Sequence, residues 1–266
     1  MKNKLNGKVA VITGGSSGIG LSISNALFAK GVRVYNISRK DCKEPCFAGD
    51  YNADVNEGEK IHSFLNEIEE KEGKIDIFIN NAGFGIGGAV ENASGENIYK
   101  QIDTNLSAVI NLSRIAIKFL KKTNGNLINI SSVGGVIPLP YQASYSATKA
   151  GVDVFSRALA NEVKGQVKVT VILPGDTKTG FTKARVIENN GEDKDKIQKS
   201  IEKFEMDEEK GKSPDTVAKC VIKVLNKKRP PLRKTVGAEY KLIVFLPRLV
   251  SCKLANAIVR KLYCKK

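Results

Sequence analysis

The sequence predicts an α/β fold: a doubly wound parallel sheet forming a single domain, with a basic amphipathic extension at the C-terminus. Three observations predict it. Apolar runs of strand length alternate with amphipathic helical stretches, the pattern of a parallel sheet covered on both faces. A glycine-rich turn joins the first such run to a helix. A chain of 266 residues can bury one large core, and it carries no internal repeat and no low-complexity linker. Strands are expected at about 8–12, 32–38, 75–80, 126–131 and 168–173, with another near 235 and a short one at 51–54.

The first strand, Lys8-Val-Ala-Val-Ile12, runs into Thr13-Gly-Gly-Ser-Ser-Gly-Ile-Gly20 and then a helix ending near Gly31. Gly14, Gly18 and Gly20 permit positive φ and close backbone approach. Free N–H groups at the helix start, with the helix dipole behind them, suit a pyrophosphate. Ser16 and Ser17 sit in this turn and not in a Gly-x-Ser-x-Gly elbow, which argues against a hydrolase. The second strand ends at Ser38, where an NAD-selective site would favour a carboxylate for the ribose hydroxyls. Arg39 and Lys40 follow instead, and two cations suit the 2′-phosphate of NADP(H) over NAD(H). The connection from Arg39 to Asp54 is short and contains Pro45, so the usual helix there is expected to be reduced or missing.

Further along, Asn80-Asn-Ala-Gly83 follows the strand Ile75-Asp-Ile-Phe-Ile79, and Asn105 lies in Asp103-Thr-Asn-Leu106. Ser132 closes the run Ile128-Asn-Ile-Ser-Ser132, and Tyr145 precedes Lys149 by four residues, the spacing of one helix face. A free phenol, with a pKa of about 10, is a poor acid or base near neutrality, but a neighbouring ammonium favours phenolate. A serine beside it can hydrogen-bond a substrate oxygen, so acid/base chemistry is available without histidine or metal. His62, the one histidine, lies on a helical pattern away from these motifs, which removes Ser-His-Asp hydrolysis and histidine metal sites.

In these segments and their order, the chain resembles the short-chain dehydrogenase/reductase family, densely from about residue 5 to 180 and more thinly beyond. The resemblance implies a Rossmann-type fold and a tyrosine-dependent oxidoreductase. Tyr145 would be the general acid/base, Lys149 would bind the nicotinamide ribose and lower the tyrosine pKa, and Ser132 would position the carbonyl. Asn105 would complete a tetrad by holding a water that links Lys149 to solvent. Cofactor contacts would come from Thr13, Gly14, Ser16, Ser17, Gly18, Ile19 and Gly20 in the turn, and from Arg39 and Asp54 on the adenosine side. Asn81, Ala82 and Gly83, Tyr145 and Lys149, and Pro174, Gly175, Thr177 and Thr179 would complete them. Homodimers or homotetramers are common in the family.

Residues 1–239 are read as the dinucleotide-binding catalytic domain, with a substrate lid over about 180–212 in which Ile187, Ile197, Ile201 and Phe204 are candidate apolar contacts. Ser213-Pro-Asp-Thr216 caps a following helix, Val217 to Leu225. Residues 240–266 form the extension. The chain carries +15, and residues 227–266 hold twelve Lys or Arg against the single acid Glu239, so +11 lies there. Leu242-Ile-Val-Phe-Leu246 is too short to span a bilayer, but a basic amphipathic tail fits an anionic membrane surface, an acidic substrate or the edge of a cleft. No basic motif of nucleic-acid type accompanies the charge. Five cysteines without a CxxC pair, and an N-terminus without an apolar signal core, predict reduced thiols in the cytoplasm, and the basic tail adds a position peripheral to a membrane surface.

Two readings of different class follow. One is an NADP(H)-dependent oxidoreductase of a ketone or secondary alcohol, hydrophobic in the manner of the lipid or hydroxysteroid branch, with 3-oxoacyl-acyl-carrier-protein reductase as the rival substrate class. The other is a non-catalytic NADP(H)-binding regulatory protein. The intact set of Asn105, Ser132, Tyr145 and Lys149 favours the first.

Overall fold

The computed structural model describes residues 4–181, 184–188 and 194–264. Parts of the predicted lid (182–183 and 189–193), and the last two residues of the extension, lie outside the described residues. One seven-stranded sheet, entirely parallel, carries the fold. It comprises β1 (Val9–Thr13), β2 (Arg33–Ser38), β3 (Phe47–Asn52), β4 (Ile77–Asn80), β6 (Asn126–Ile130), β7 (Lys168–Leu173) and β9 (Arg233–Thr235), in the order β3-β2-β1-β4-β6-β7-β9. The order reverses at β1, so successive crossovers place helices on opposite faces.

Side-chain alternation makes both faces apolar. Val9 and Val11 of β1 point into one cluster with Ile61, Leu65 and Ile68 of α2 (Gly58–Glu72) and Ile115 and Phe119 of α4 (Ala108–Thr123). Leu159 and Ala160 of α5 (Ala143–Glu162) join that cluster. Ala10 and Ile12 point the other way, against Ile23 and Leu27 of α1 (Gly18–Phe28) and Val217, Val221 and Val224 of α7 (Pro214–Leu225). This two-sided burial is why the strands read as unbroken apolar runs.

The predicted short strand at 51–54 is β3, longer and earlier, and no helix connects β2 to it. Its register shifts between Val34 and Tyr35. At Gly49, opposite Tyr35, an added Cβ would lie 2.8 Å from the tyrosine ring, so glycine lets the irregular strand close on β2. As expected, Ser213 caps α7, its hydroxyl accepting from the Asp215 N–H at 3.2 Å, with Pro214 in the first turn.

A separate parallel pair, β5 (Ile86–Gly88) with β8 (Val186–Glu188), was not evident in the sequence. Long-range contacts hold it. The Glu188 carboxylate accepts from the Ser94 N–H at 3.1 Å and from Asn97 Nδ2 at 2.7 Å, at the start of α3 (Gly95–Ile102). Above it lies α6 (Lys194–Glu209), where Ile197, Ile201 and Phe204 are buried as predicted while Ile187 is exposed.

In the C-terminal extension, α8 (Ala238–Phe245) is tied to the domain by Val244, in a cluster with Val133, Val152 and Leu173, and by Tyr240, whose hydroxyl donates to Asp176 Oδ2 at 2.7 Å. α9 (Cys252–Tyr263) leans on α6 through Tyr263, stacked on Phe204 with ring centroids 4.6 Å apart.

Candidate active site

The glycine turn is built by what it excludes. At Gly20 an added Cβ would sit 2.1 Å from the Gly14 carbonyl oxygen, and Gly14 and Gly18 have φ of 64° and 51°. The backbone therefore closes into a compact loop that only glycine permits. Gly15, which sequence reasoning left without a role, is as constrained: its Cβ would lie 2.6 Å from Asn36 Oδ1, the atom that accepts its N–H at 2.7 Å. Thr13 Oγ1 accepts from the N–H groups of Asn81 and Ala82 at 3.0 and 3.1 Å, and Asn81 Nδ2 donates to the Thr13 and Gly14 carbonyls. Thr179 packs over Gly18, so the segment following β7 reaches back to the turn. These residues form a cradle at the C-terminal edge of β1 and β4, which fits a dinucleotide.

At the end of β2, Ser38 is buried and its hydroxyl donates to the Lys40 carbonyl at 2.8 Å, whereas Arg39 and Lys40 are exposed. Cys42 Sγ lies 3.9 Å from the Ser16 carbonyl oxygen, bringing this loop beside the glycine turn. A carboxylate missed in the sequence lies close by. Asp50 accepts from Asn36 Nδ2 at 2.6 Å through one oxygen and from the Cys42 N–H through the other, so both oxygens are engaged by the protein. Asp54 heads the turn into α2, where one oxygen accepts from the Asn56 N–H and side-chain amide.

Ser132, Tyr145 and Lys149 converge where β6 meets α5. Ser132 Oγ accepts from the Gly134 N–H at 3.0 Å, and a Cβ added at Gly134 would lie 3.3 Å from Ser132 Oγ and 3.4 Å from Tyr145 Cε1, so the serine adjoins the phenol ring. Lys149 is buried, its Nζ donating to the Ile130 carbonyl at 3.1 Å and lying 5.9 Å from the centre of the Tyr145 ring. Burial pushes the Tyr145 phenol above its ordinary value, and the neighbouring Ser132 opposes that rise. Burial alone brings the Lys149 ammonium down to about 8. The tyrosine is thus held protonated, with a serine hydroxyl beside its ring and a cation close enough to stabilise phenolate once the proton leaves.

Asn105 is fully buried in the π-helical turn Asp103–Ser107, its Nδ2 donating to the Phe84 carbonyl at 2.8 Å and its Oδ1 accepting from the Phe84 N–H at 3.0 Å. An added Cβ at Gly83 would lie 3.0 Å from Asn105 Oδ1 and 3.5 Å from Lys149 Nζ, so the three residues adjoin. At the far wall, Gly175 lies under the Tyr240 ring and Thr177 Oγ1 donates to the Gly175 carbonyl. Phe181 brings its ring to 5.9 Å from that of Tyr145. Among the described residues no group of acidic, histidine or cysteine side chains could hold a metal.

Residues 8–190 match the model of the short chain dehydrogenase family. The chain belongs to that family. Among curated relatives of this dehydrogenase, the 3-ketodihydrosphingosine reductase of Bacteroides thetaiotaomicron is 36% identical over 236 residues, covering 86% of this chain and 88% of the relative. The 3-oxoacyl-[acyl-carrier-protein] reductase of Escherichia coli is 34% identical over 187 residues, covering 67% and 77%. Two solved structures share the fold. An alcohol dehydrogenase of Thermococcus sibiricus complexed with 5-hydroxy-NADP has a TM-score of 0.72 at 25% identity, covering 88% of this chain and 97% of that one. A 3-ketoacyl-(acyl-carrier-protein) reductase of Brucella melitensis complexed with NADH has 0.74 at 23%, covering 88% and 98%. This chain is therefore an oxidoreductase with a nicotinamide cofactor and a small carbonyl or alcohol substrate.

Proposed function

We propose that this dehydrogenase transfers hydride between NADP(H) and a hydrophobic ketone or secondary alcohol, with Tyr145 as general acid/base. The observation that carries the reading is the convergence of Ser132 and a protonated Tyr145 beside the buried Lys149. The nicotinamide supplies the hydride, and the protein supplies alignment and the proton. As negative charge grows on the carbonyl oxygen, the Ser132 O–H and the Tyr145 O–H both donate to it. Tyr145 then releases its proton, and Lys149 stabilises the phenolate. Asn105 anchors the backbone of Phe84, next to the Gly83 that adjoins Lys149, and serves the water that links Lys149 to solvent.

Exposed Arg39 and Lys40 support NADP(H), because Ser38 offers no carboxylate and both oxygens of Asp50 are taken by the protein. Phe181 over Tyr145 supports a hydrophobic substrate, as does the relative acting on a ketodihydrosphingosine, which aligns with more of the chain than the acyl-carrier-protein reductase does. Peripheral association with an anionic membrane belongs to the same reading. No helix among the described residues is long and apolar enough to cross a membrane. Yet Leu242, Phe245, Leu246 and Leu249, and Leu254, Ile258 and Leu262, form two helix-spaced stripes exposed by 46 to 66%, within the segment of the chain that carries +11.

Cofactor absorbance followed with a panel of long-chain ketones, short ketones and acyl-carrier-protein thioesters tests the proposal. NADPH-dependent turnover is expected to be fastest on the long-chain ketones. Tight NADPH binding without turnover on any of them would return the regulatory reading.

A further inference from the structure

A buried ion pair behind Phe181, the residue facing Tyr145, has hydrogen-bonding capacity that the described residues do not use. Arg185, immediately before β8, keeps only 2% of its side chain exposed, and its Nη2 donates to Glu208 Oε1, near the end of α6, at 2.8 Å. Nε and Nη1 of Arg185 and Oε2 of Glu208 are buried without a hydrogen-bond partner among the described residues. Burying an ion pair costs desolvation that attraction repays only when its other donors and acceptors are satisfied. A latch between β8 and α6 would be served better by apolar side chains, so the pair calls for a ligand.

Its position says which ligand. Built at Gly85, a Cβ would lie 3.4 Å from Arg185 Nε and 3.2 Å from Phe181 Cε1, and the Phe181 ring is the one facing Tyr145. The guanidinium lies over the Phe204 ring at 5.9 Å, closing its other side. Both members of the pair act electrostatically on the Tyr145 phenol. Phe181 thus stands between the pair and the phenol, and the pair lies on the Phe181 side of the space above Tyr145. Around Glu208, Asp176 and Glu205 add negative charge to the carboxylate against the cation Arg185, so this side attracts positive charge.

We infer that Arg185 and Glu208 read the polar head of the substrate and select a ketone with an ammonium near its carbonyl and an oxygen function beside it. The ammonium donates to Glu208 Oε2, and the oxygen accepts from Arg185 Nε or Nη1. This rests on the ketone-reductase reading and adds the chemistry of the head to it.

The test compares kcat/KM for a long-chain ketone bearing an amino group on the adjacent carbon with that for the plain ketone of equal length. The wild type should favour the amino ketone by roughly tenfold or more, the range of one charge-assisted hydrogen bond. Glu208→Gln and Arg185→Met should bring that ratio toward one. A ratio near one in the wild type, or a ratio unchanged in both variants while the two rates fall in parallel, would make the pair a structural latch and overturn the inference. Should the variants fail to fold, the wild-type NADPH complex decides by ligand titration. A long-chain primary amine should bind at least several-fold more tightly than the alcohol of equal length, and equal affinity overturns the inference. This titration needs no turnover, so it separates failure here from failure of the reductase reading.

Discussion

The region from β1 to α5 and the region beyond Thr179 reach their shapes by different routes. In the first, strands buried on both faces and a glycine turn leave little choice: the turn closes on itself, with Gly14, Gly15 and Gly20 packed against atoms a few residues away or on the adjacent strand ends. In the second, β8 pairs with β5 about a hundred residues earlier, Glu188 caps the start of α3, and Tyr263 stacks on Phe204. Local geometry makes the cofactor half rigid and generic. Distant contacts make the substrate half individual, which is where a family sharing one reaction can vary its substrates.

The largest expected effect falls on the chemistry that the rigid half presents. Tyr145→Phe keeps the ring and removes the transferable proton, so kcat should fall by about a thousandfold or more while NADPH titration stays close to wild type. A phenylalanine variant reducing its best ketone at a near wild-type rate would place the proton donor elsewhere. Ser132→Ala should cost roughly a hundredfold in kcat through loss of one donor to the developing oxyanion.

Next comes the buried cation. Folding holds Lys149 at about 8, below its ordinary 10.5, so between these values the unfolded chain binds more protons and stability rises with pH. Lys149→Met removes that dependence. Urea unfolding without cofactor should find the variant favoured over wild type at pH 7, by up to a few kcal/mol, with the gap narrowing toward pH 10. A gap constant across this range would mean that Lys149 is not held down by burial.

Arg39→Asp sharpens the comparison at the cofactor's outer end. It replaces an attraction for a 2′-phosphate by a repulsion and should weaken NADPH by about tenfold or more, with NADH little changed. Equal wild-type affinity for both cofactors, unmoved by the substitution, would remove the NADP(H) preference.

The smallest effect belongs to the far end of the chain. Because Tyr240 and Val244 are packed into the domain, the informative truncation ends after Val250 and removes only α9. KM for long-chain ketones should rise a few-fold and binding to anionic vesicles should weaken, more so with salt, while NADPH affinity holds. A truncated protein that binds vesicles and substrates like the full chain would leave α9 without a part in either.

Where sequence reasoning succeeded, neighbours along the chain or on one helix face were enough. The strand, glycine turn and helix from Lys8 to Gly31, the Tyr145 and Lys149 spacing and the Ser213 cap all have periods or contacts spanning a few residues. Proline and shortness likewise foretold the missing helix between β2 and β3. Ile197, Ile201 and Phe204 were readable as an apolar face because helical periodicity is visible without knowing what covers it.

Asp50, Arg185 and Glu208 were not readable, because their roles depend on which strand or loop lies opposite. Asp50 meets Asn36 and Cys42 only after β3 closes on β2, and Arg185 meets Glu208 only when α6 folds back over β8. The sequence by itself thus determined the parallel α/β sheet, the dinucleotide turn and the candidate proton-transfer set, since burial periodicity and glycine sterics act over short spans of chain. Only the tertiary structure decided the electrostatics above Tyr145 and the seating of the C-terminal helices. A charge is perturbed by whatever lies within a few ångströms in space, and along the chain those neighbours are anywhere.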